Sequence, residues 1–153
     1  MATLNTINRK RYVANLQKLQ ATCSRNYALL LRLLPVEYQL AEHWSFELAN
    51  GLRFELKVTE VSRYTDKFSL QQCATHLPKA MAMNIEFRAY HDAQMVEVLS
   101  FQNQSRIRAN NPYPNPQLHQ KDEKEQINNL LKDWLNLVVN QQSNKTKEQL
   151  GTS

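Results

Sequence analysis

Two alternating runs of apolar residues meet at Asn50-Gly51. Trp44, Phe46 and Leu48 come before it; Leu52, Phe54, Leu56 and Val58 come after, with Arg53, Glu55 and Lys57 between them. A period of two sends successive side chains to opposite faces of a strand. Asn-Gly between two such runs is a strong hairpin signal, read here as a type I′ turn with φ > 0 at both central residues. This feature commits the middle of the chain to antiparallel sheet. It also excludes an all-helical fold.

The sheet pattern continues downstream. Parity slips after Val58, because the next apolar residue is Val61, which predicts a bulge near Thr59–Glu60. Phe68 and Leu70 mark a third strand after a turn near Asp66. Met81, Met83, Ile85, Phe87 and Ala89 mark a fourth, with Asn84, Glu86, Arg88 and Tyr90 on its other face. A tight turn at His91-Asp92 leads into a fifth strand over roughly 95–101, and a short sixth is expected over 105–109. Three prolines in 111–116 exclude helix and central strand there.

Helical periodicity flanks this region. Leu16, Leu19, Cys23, Tyr27, Leu30 and Leu34 recur at steps of three and four from about Asn15, and Pro35 stops the run. Lys18, Arg25 and Arg32 share the opposite stripe. Ile127, Leu130, Leu131, Trp134, Leu135 and Val138 make a second amphipathic helix. It starts either at Asn115-Pro116, read as N-cap and N1, or, preferred here, at the capping box of Asp122 and Glu125. The expected fold is α+β: an N-terminal helix, a five- or six-stranded antiparallel meander sheet, and a C-terminal helix packed on the sheet. Residues 10–141 are expected to form one domain, with a flexible 1–9 and a disordered tail at 142–153. A chain of 153 residues needs no more than one domain.

Composition narrows the function. With 2 glycines, the chain has no Gly-rich phosphate cradle. It contains no Gly-x-Ser-x-Gly elbow and no apolar run approaching the ~20 residues that span a bilayer. Two unpatterned cysteines, without an apolar leader, fit the cytoplasm. The net charge of +5 sits at the front: residues 1–35 carry six basic side chains and no acid. The ordinary use of such a stripe is a solvated helix face. Nucleic acid is disfavoured as a partner, because the aromatics are not interleaved with the basics.

Four stretches carry a resemblance: NYALLLRLLP (26–35), VSRYT (61–65), RAYHDAQMVEV (88–98) and YPNPQLHQKDEKEQINNLLKDWL (113–135). Together they resemble the YqiB-like family of small bacterial proteins, a family classed as a domain of unknown function. The resemblance runs from about Lys10 to Val139. It implies a bacterial cytosolic protein and carries no catalytic residue over.

The candidate chemistry comes from the residues themselves. His91-Asp92 could pair as a base with its carboxylate, or serve only as a turn. His119, Asp122 and Glu123 share a helix face but match no trusted metal spacing, so no metal or cofactor is expected. Arg63, Tyr64, Arg88, Tyr90 and His91, with His119 nearby, are the expected ligand-binding set. The arginines would fork an anion, the tyrosines would supply hydrogen bonds, and a histidine would titrate near neutral pH. The competing assignment is cross-strand pairing of the arginines with Glu55, Glu60, Glu86 and Glu97. The favoured function is a non-enzymatic binding module for a protein or a small anionic ligand. The alternative is a small enzyme acting on a nucleotide or other phosphate ester.

Overall fold

A computed structural model describes residues 2–77, 81–103 and 121–151. Helix α1 spans Ala2–Leu33. Five strands follow: β1 (His43–Glu47), β2 (Leu52–Val61), β3 (Thr65–Ala74), β4 (Met83–Tyr90) and β5 (Met95–Asn103). Helix α2 spans Lys121–Gly151. Every strand pairs antiparallel with its sequence neighbour, in the order β1-β2-β3-β4-β5. The fold is α+β, a meander sheet with a helix before it and a helix after it. The expected sixth strand at 105–109, the proline-rich stretch and His119 lie outside the described residues.

Both helices run beyond the apolar stripes that predicted them. α1 begins at Ala2 rather than near Asn15, because no Gly or Pro interrupts the chain before Pro35. α2 continues to Gly151, so residues 142–151, expected as a disordered tail, carry helical backbone. Leu16 was counted in the core stripe, yet it is exposed. Over residues 16–33 the buried face of α1 is Cys23, Asn26, Tyr27, Leu29 and Leu30. Lys18, Arg25 and Arg32 point to solvent.

The hairpin at Asn50-Gly51 is present with a longer loop than expected. Leu48 and Leu52 close it (N···O 2.8 Å), leaving Ala49, Asn50 and Gly51 in the loop. Of these, Gly51 has positive φ (83°). This is the three-residue hairpin that ends on a left-handed glycine, so Asn50 need not leave the right-handed region. The bulge between Val58 and Glu60 lies where parity slipped. A second bulge separates Phe87↔Val98 from Glu86↔Ser100, with Leu99 as the extra residue. It moves the inward set of β5 from Val96 and Val98 to Phe101.

One sheet face is covered. Phe54, Leu56, Val58, Phe68, Leu70, Ile85, Phe87, Val96 and Val98 are buried with Tyr27, Leu30, Ile127, Leu131, Trp134, Leu135 and Val138 in one core. Phe68 stacks on its cross-strand partner Phe87 (centroids 5.6 Å), and Trp134 meets Phe54 edge-on at 5.6 Å. The opposite face carries ion pairs such as Lys67–Glu86 (2.9 Å).

Asn26 and Asn128, both fully buried, join the helices to each other and to the sheet edge. Asn26 Nδ2 donates to the Asn128 carbonyl (3.0 Å), and Asn128 Oδ1 accepts from the Val98 N–H (3.1 Å). Among the described residues β5 is the last strand of the sheet, where every other backbone group lacks a strand partner. Asn128 satisfies one of those groups. Lys124–Glu97 (2.6 Å) adds an ion pair beside it.

Candidate functional site

A cleft of about 620 Å³ opens at one end of the sheet. Its walls are the segment after α1 (Val36, Glu37, Tyr38, Gln39, Glu42) and the β2–β3 turn (Val61, Ser62, Arg63). Its floor is Asp66 and His91. Alternation explains the floor. Asp66 is in phase with Phe68 and Leu70, so it points to the core side of β3. His91 is in phase with Phe87 and Ala89, and it leaves β4 on that same side.

A hydrogen-bonded array joins four segments there. The Tyr27 hydroxyl lies 3.0 Å from His91 Nδ1. His91 Nε2 lies 2.8 Å from Asp66 Oδ2. The Tyr38 hydroxyl donates to the same Asp66 oxygen. The Ser62 N–H approaches Asp66 Oδ1 at 3.4 Å. An ionised carboxylate only accepts, so His91 carries its proton on Nε2. In the neutral ring Nδ1 then accepts from Tyr27; in the charged ring it donates to Tyr27. Both ring nitrogens are engaged in either state. Burial, and then the bond to the Asp66 carboxylate, pushes the Tyr38 hydroxyl well above the ordinary tyrosine range. Tyr38 also packs edge-on against Trp44 and tilted against Phe68, which locates the wall of the cleft on the core.

Arg63 stands at the mouth. Its guanidinium lies 5.1 Å from the centre of the Tyr64 ring, within cation–π range. Among the described residues no carboxylate forms an ion pair with it.

The expected ligand set divides between the two sheet faces. Arg63 and His91 line the cleft, and Tyr64 holds Arg63. Arg88 projects from the other face, where it contacts Glu60 (3.8 Å) and Thr65 Oγ1 (3.4 Å). Tyr90 pairs with Thr65 in register and shares that face. The carboxylate of His91 is Asp66, not the adjacent Asp92, which is exposed in the turn. Sequence reasoning missed Asp66 and Tyr38. Asp66 did leave a signal: a carboxylate in phase with Phe68 and Leu70 is a polar group aimed at a core, and that is the informative exception to burial patterning.

Residues 29–144 match the family described as "Protein of unknown function (DUF1249)". The chain belongs to this family. It is also 38% identical over 126 residues to "Uncharacterized protein YqiB" of Escherichia coli strain K12, covering 82% of this chain and 89% of that protein. The same figures hold for the protein of that name in the O157:H7 strain. No solved structure matches. The DUF1249 match takes in Tyr38, Asp66 and His91 and begins just after Tyr27. The resemblance to YqiB-like proteins is thus shown over most of the chain.

Proposed function

We propose that this DUF1249 protein is a non-enzymatic binding module whose ligand is a small molecule with one anionic group, seated in the sheet-end cleft. The observation that carries this reading is Arg63: an exposed guanidinium at the cleft mouth, steadied by an aromatic ring, with no carboxylate partner among the described residues. A planar fork of this kind suits a carboxylate or a phosphate. Glu37 and Glu42 line the same cleft. Their charge opposes a polyanion and favours a single anionic group with hydrogen-bond donors elsewhere. Tyr38 and Val61 offer apolar surface for the rest of the ligand. The Tyr27–His91–Asp66–Tyr38 array serves as a stiff floor, because its atoms already satisfy one another.

The Asp66–His91 pair favours a second reading, a hydrolase of a phosphate ester. A carboxylate on one ring nitrogen is how a general base is oriented. Against it, the other nitrogen faces the buried Tyr27 hydroxyl, so the atom that would take a substrate proton is occupied.

A thermal-shift titration with monocarboxylates, phosphate monoesters and inorganic phosphate tests the binding reading. A ligand at 100 times its Kd adds about 2.7 kcal/mol to stability. The stabilisation should vanish in Arg63→Gln and persist in Arg88→Gln. If no anion stabilises the protein, or if Arg63→Gln responds like wild type, the reading fails.

A further inference from the structure

The two edges of the sheet are treated differently. β5 is bulged at Leu99, Asn128 takes the Val98 N–H, and both helices pack near it. These are the ordinary devices that keep an edge from pairing with another chain. β1 has none of them among the described residues. Leu48 bonds Leu52 at one end of β1, and Glu42 accepts from Val58 (2.9 Å) at the other. Ladder bonds alternate along an antiparallel pair. Trp44 and Phe46 therefore turn their backbone groups toward β2, while His43, Ser45 and Glu47 turn theirs outward.

The strand reads His-Trp-Ser-Phe-Glu. Set antiparallel against itself about Ser45, it complements itself at every position. Ser45 faces the partner's Ser45, His43 faces the partner's Glu47, and Trp44 faces the partner's Phe46. The outward groups fall at the two-fold centre and two residues to either side, the positions where hydrogen-bonded pairs exchange both bonds. Trp44 and Phe46 lie on the helix-covered face and are only partly buried. An aromatic cross-strand pair would complete their burial. We propose that two copies of this chain join through β1 edges in this register, forming one continuous sheet with an isologous two-fold interface. Strands of five residues make a small contact, so the dimer is weak and concentration-dependent.

Sedimentation velocity across a concentration series tests association. The wild-type coefficient should rise with concentration. Ser45→Pro removes an outward donor and leaves the β2 ladder intact, so it should stay monomeric with an unchanged circular-dichroism spectrum. Register is tested by disulfide trapping in a Cys73→Ser background. Residues facing each other at the two-fold have Cα atoms about 5.5 Å apart, within disulfide range. Ser45→Cys should oxidise to a covalent dimer, and Glu47→Cys, facing the partner's His43, should not. A wild type that is monomeric at every concentration would overturn the proposal. Equal trapping at both positions would overturn the register, as would association unchanged by Ser45→Pro. Should Ser45→Pro unfold the chain, the trapping pair alone decides.

Discussion

Replacing Asp66 with alanine removes the one carboxylate on which the cleft floor converges. Its side chain is 8% exposed and accepts from His91, Tyr38 and, at longer range, the Ser62 N–H. A hydrogen bond to a charged group contributes about 1.5–3 kcal/mol, and Asp66 accepts two such bonds from side chains. Relief comes from two places. The His91 side chain is 33% exposed, so water reaches its freed N–H, and Ser62 keeps its bond to the Thr65 carbonyl (3.0 Å). The expected net loss is about 3 kcal/mol, a large share of a total near 5–15 kcal/mol. Urea denaturation should show a lower midpoint at an unchanged slope. Asp66→Asn keeps the shape and one acceptor, so it should lose about half as much. A cycle with Tyr38→Phe should give a coupling energy above about 0.5 kcal/mol. An alanine variant within about 0.5 kcal/mol of wild type would refute the array as a structural unit.

Trp134→Ala should cost about 3–5 kcal/mol in the same assay, since the ring is 3% exposed and packs on Phe54. Reversing Lys18, Arg25 and Arg32 together to Glu should leave the melting curve nearly unchanged, because all three face solvent. A thiol reagent at pH 8 should label Cys73 quickly and Cys23 only on unfolding, because burial first, and then the Glu97 charge, pushes the Cys23 thiol up to about 11. Tyr38 sets an alkaline limit. The folded chain holds its hydroxyl proton above the ordinary value near 10, so this stabilisation is intact below about pH 10 and is lost as pH rises beyond it. Tyr38→Phe should flatten that decline in a pH series of urea midpoints.

The fold was legible because apolar period and element type agree along most of the chain. The alternation in 52–58 and 83–89 belongs to strands whose inner faces are buried at Phe54, Leu56, Val58, Ile85, Phe87 and Ala89, with Leu52 and Met83 partly buried at the strand starts. The bulge near Thr59 was readable because it displaces a visible parity. The bulge at Leu99 was hidden, because β5 reads Val-Glu-Val-Leu-Ser-Phe and either parity finds an apolar residue. Helix ends were misjudged for a related reason. Apolar periodicity marks the amphipathic part of a helix, and the backbone of α1 and α2 continues past the apolar stripes read in the sequence.

The lining of the cleft was legible in part, and the residues the sequence did not point to follow one pattern. Arg63, Tyr64 and His91 were singled out in the sequence because their chemistry is visible in isolation, and Arg63 and His91 line the cleft. Asp66 and Tyr38 act through their neighbours, and those neighbours lie 25 and 28 positions away from Asp66 in the chain. A histidine with an acid next to it invites local pairing, yet adjacent residues leave a strand on opposite sides. The carboxylate that reaches His91 had to come from a neighbouring strand on the same face. The register Asp66↔Ala89 supplies it, because His91 continues the Ala89 side of β4 past the strand end. Arg88 and Tyr90 were expected beside His91 by the same adjacency, and the same alternation sends them to the other face. In a meander sheet, residues two apart share a site and consecutive residues do not, so Asp66 and His91 mark a cleft that Arg88 cannot reach.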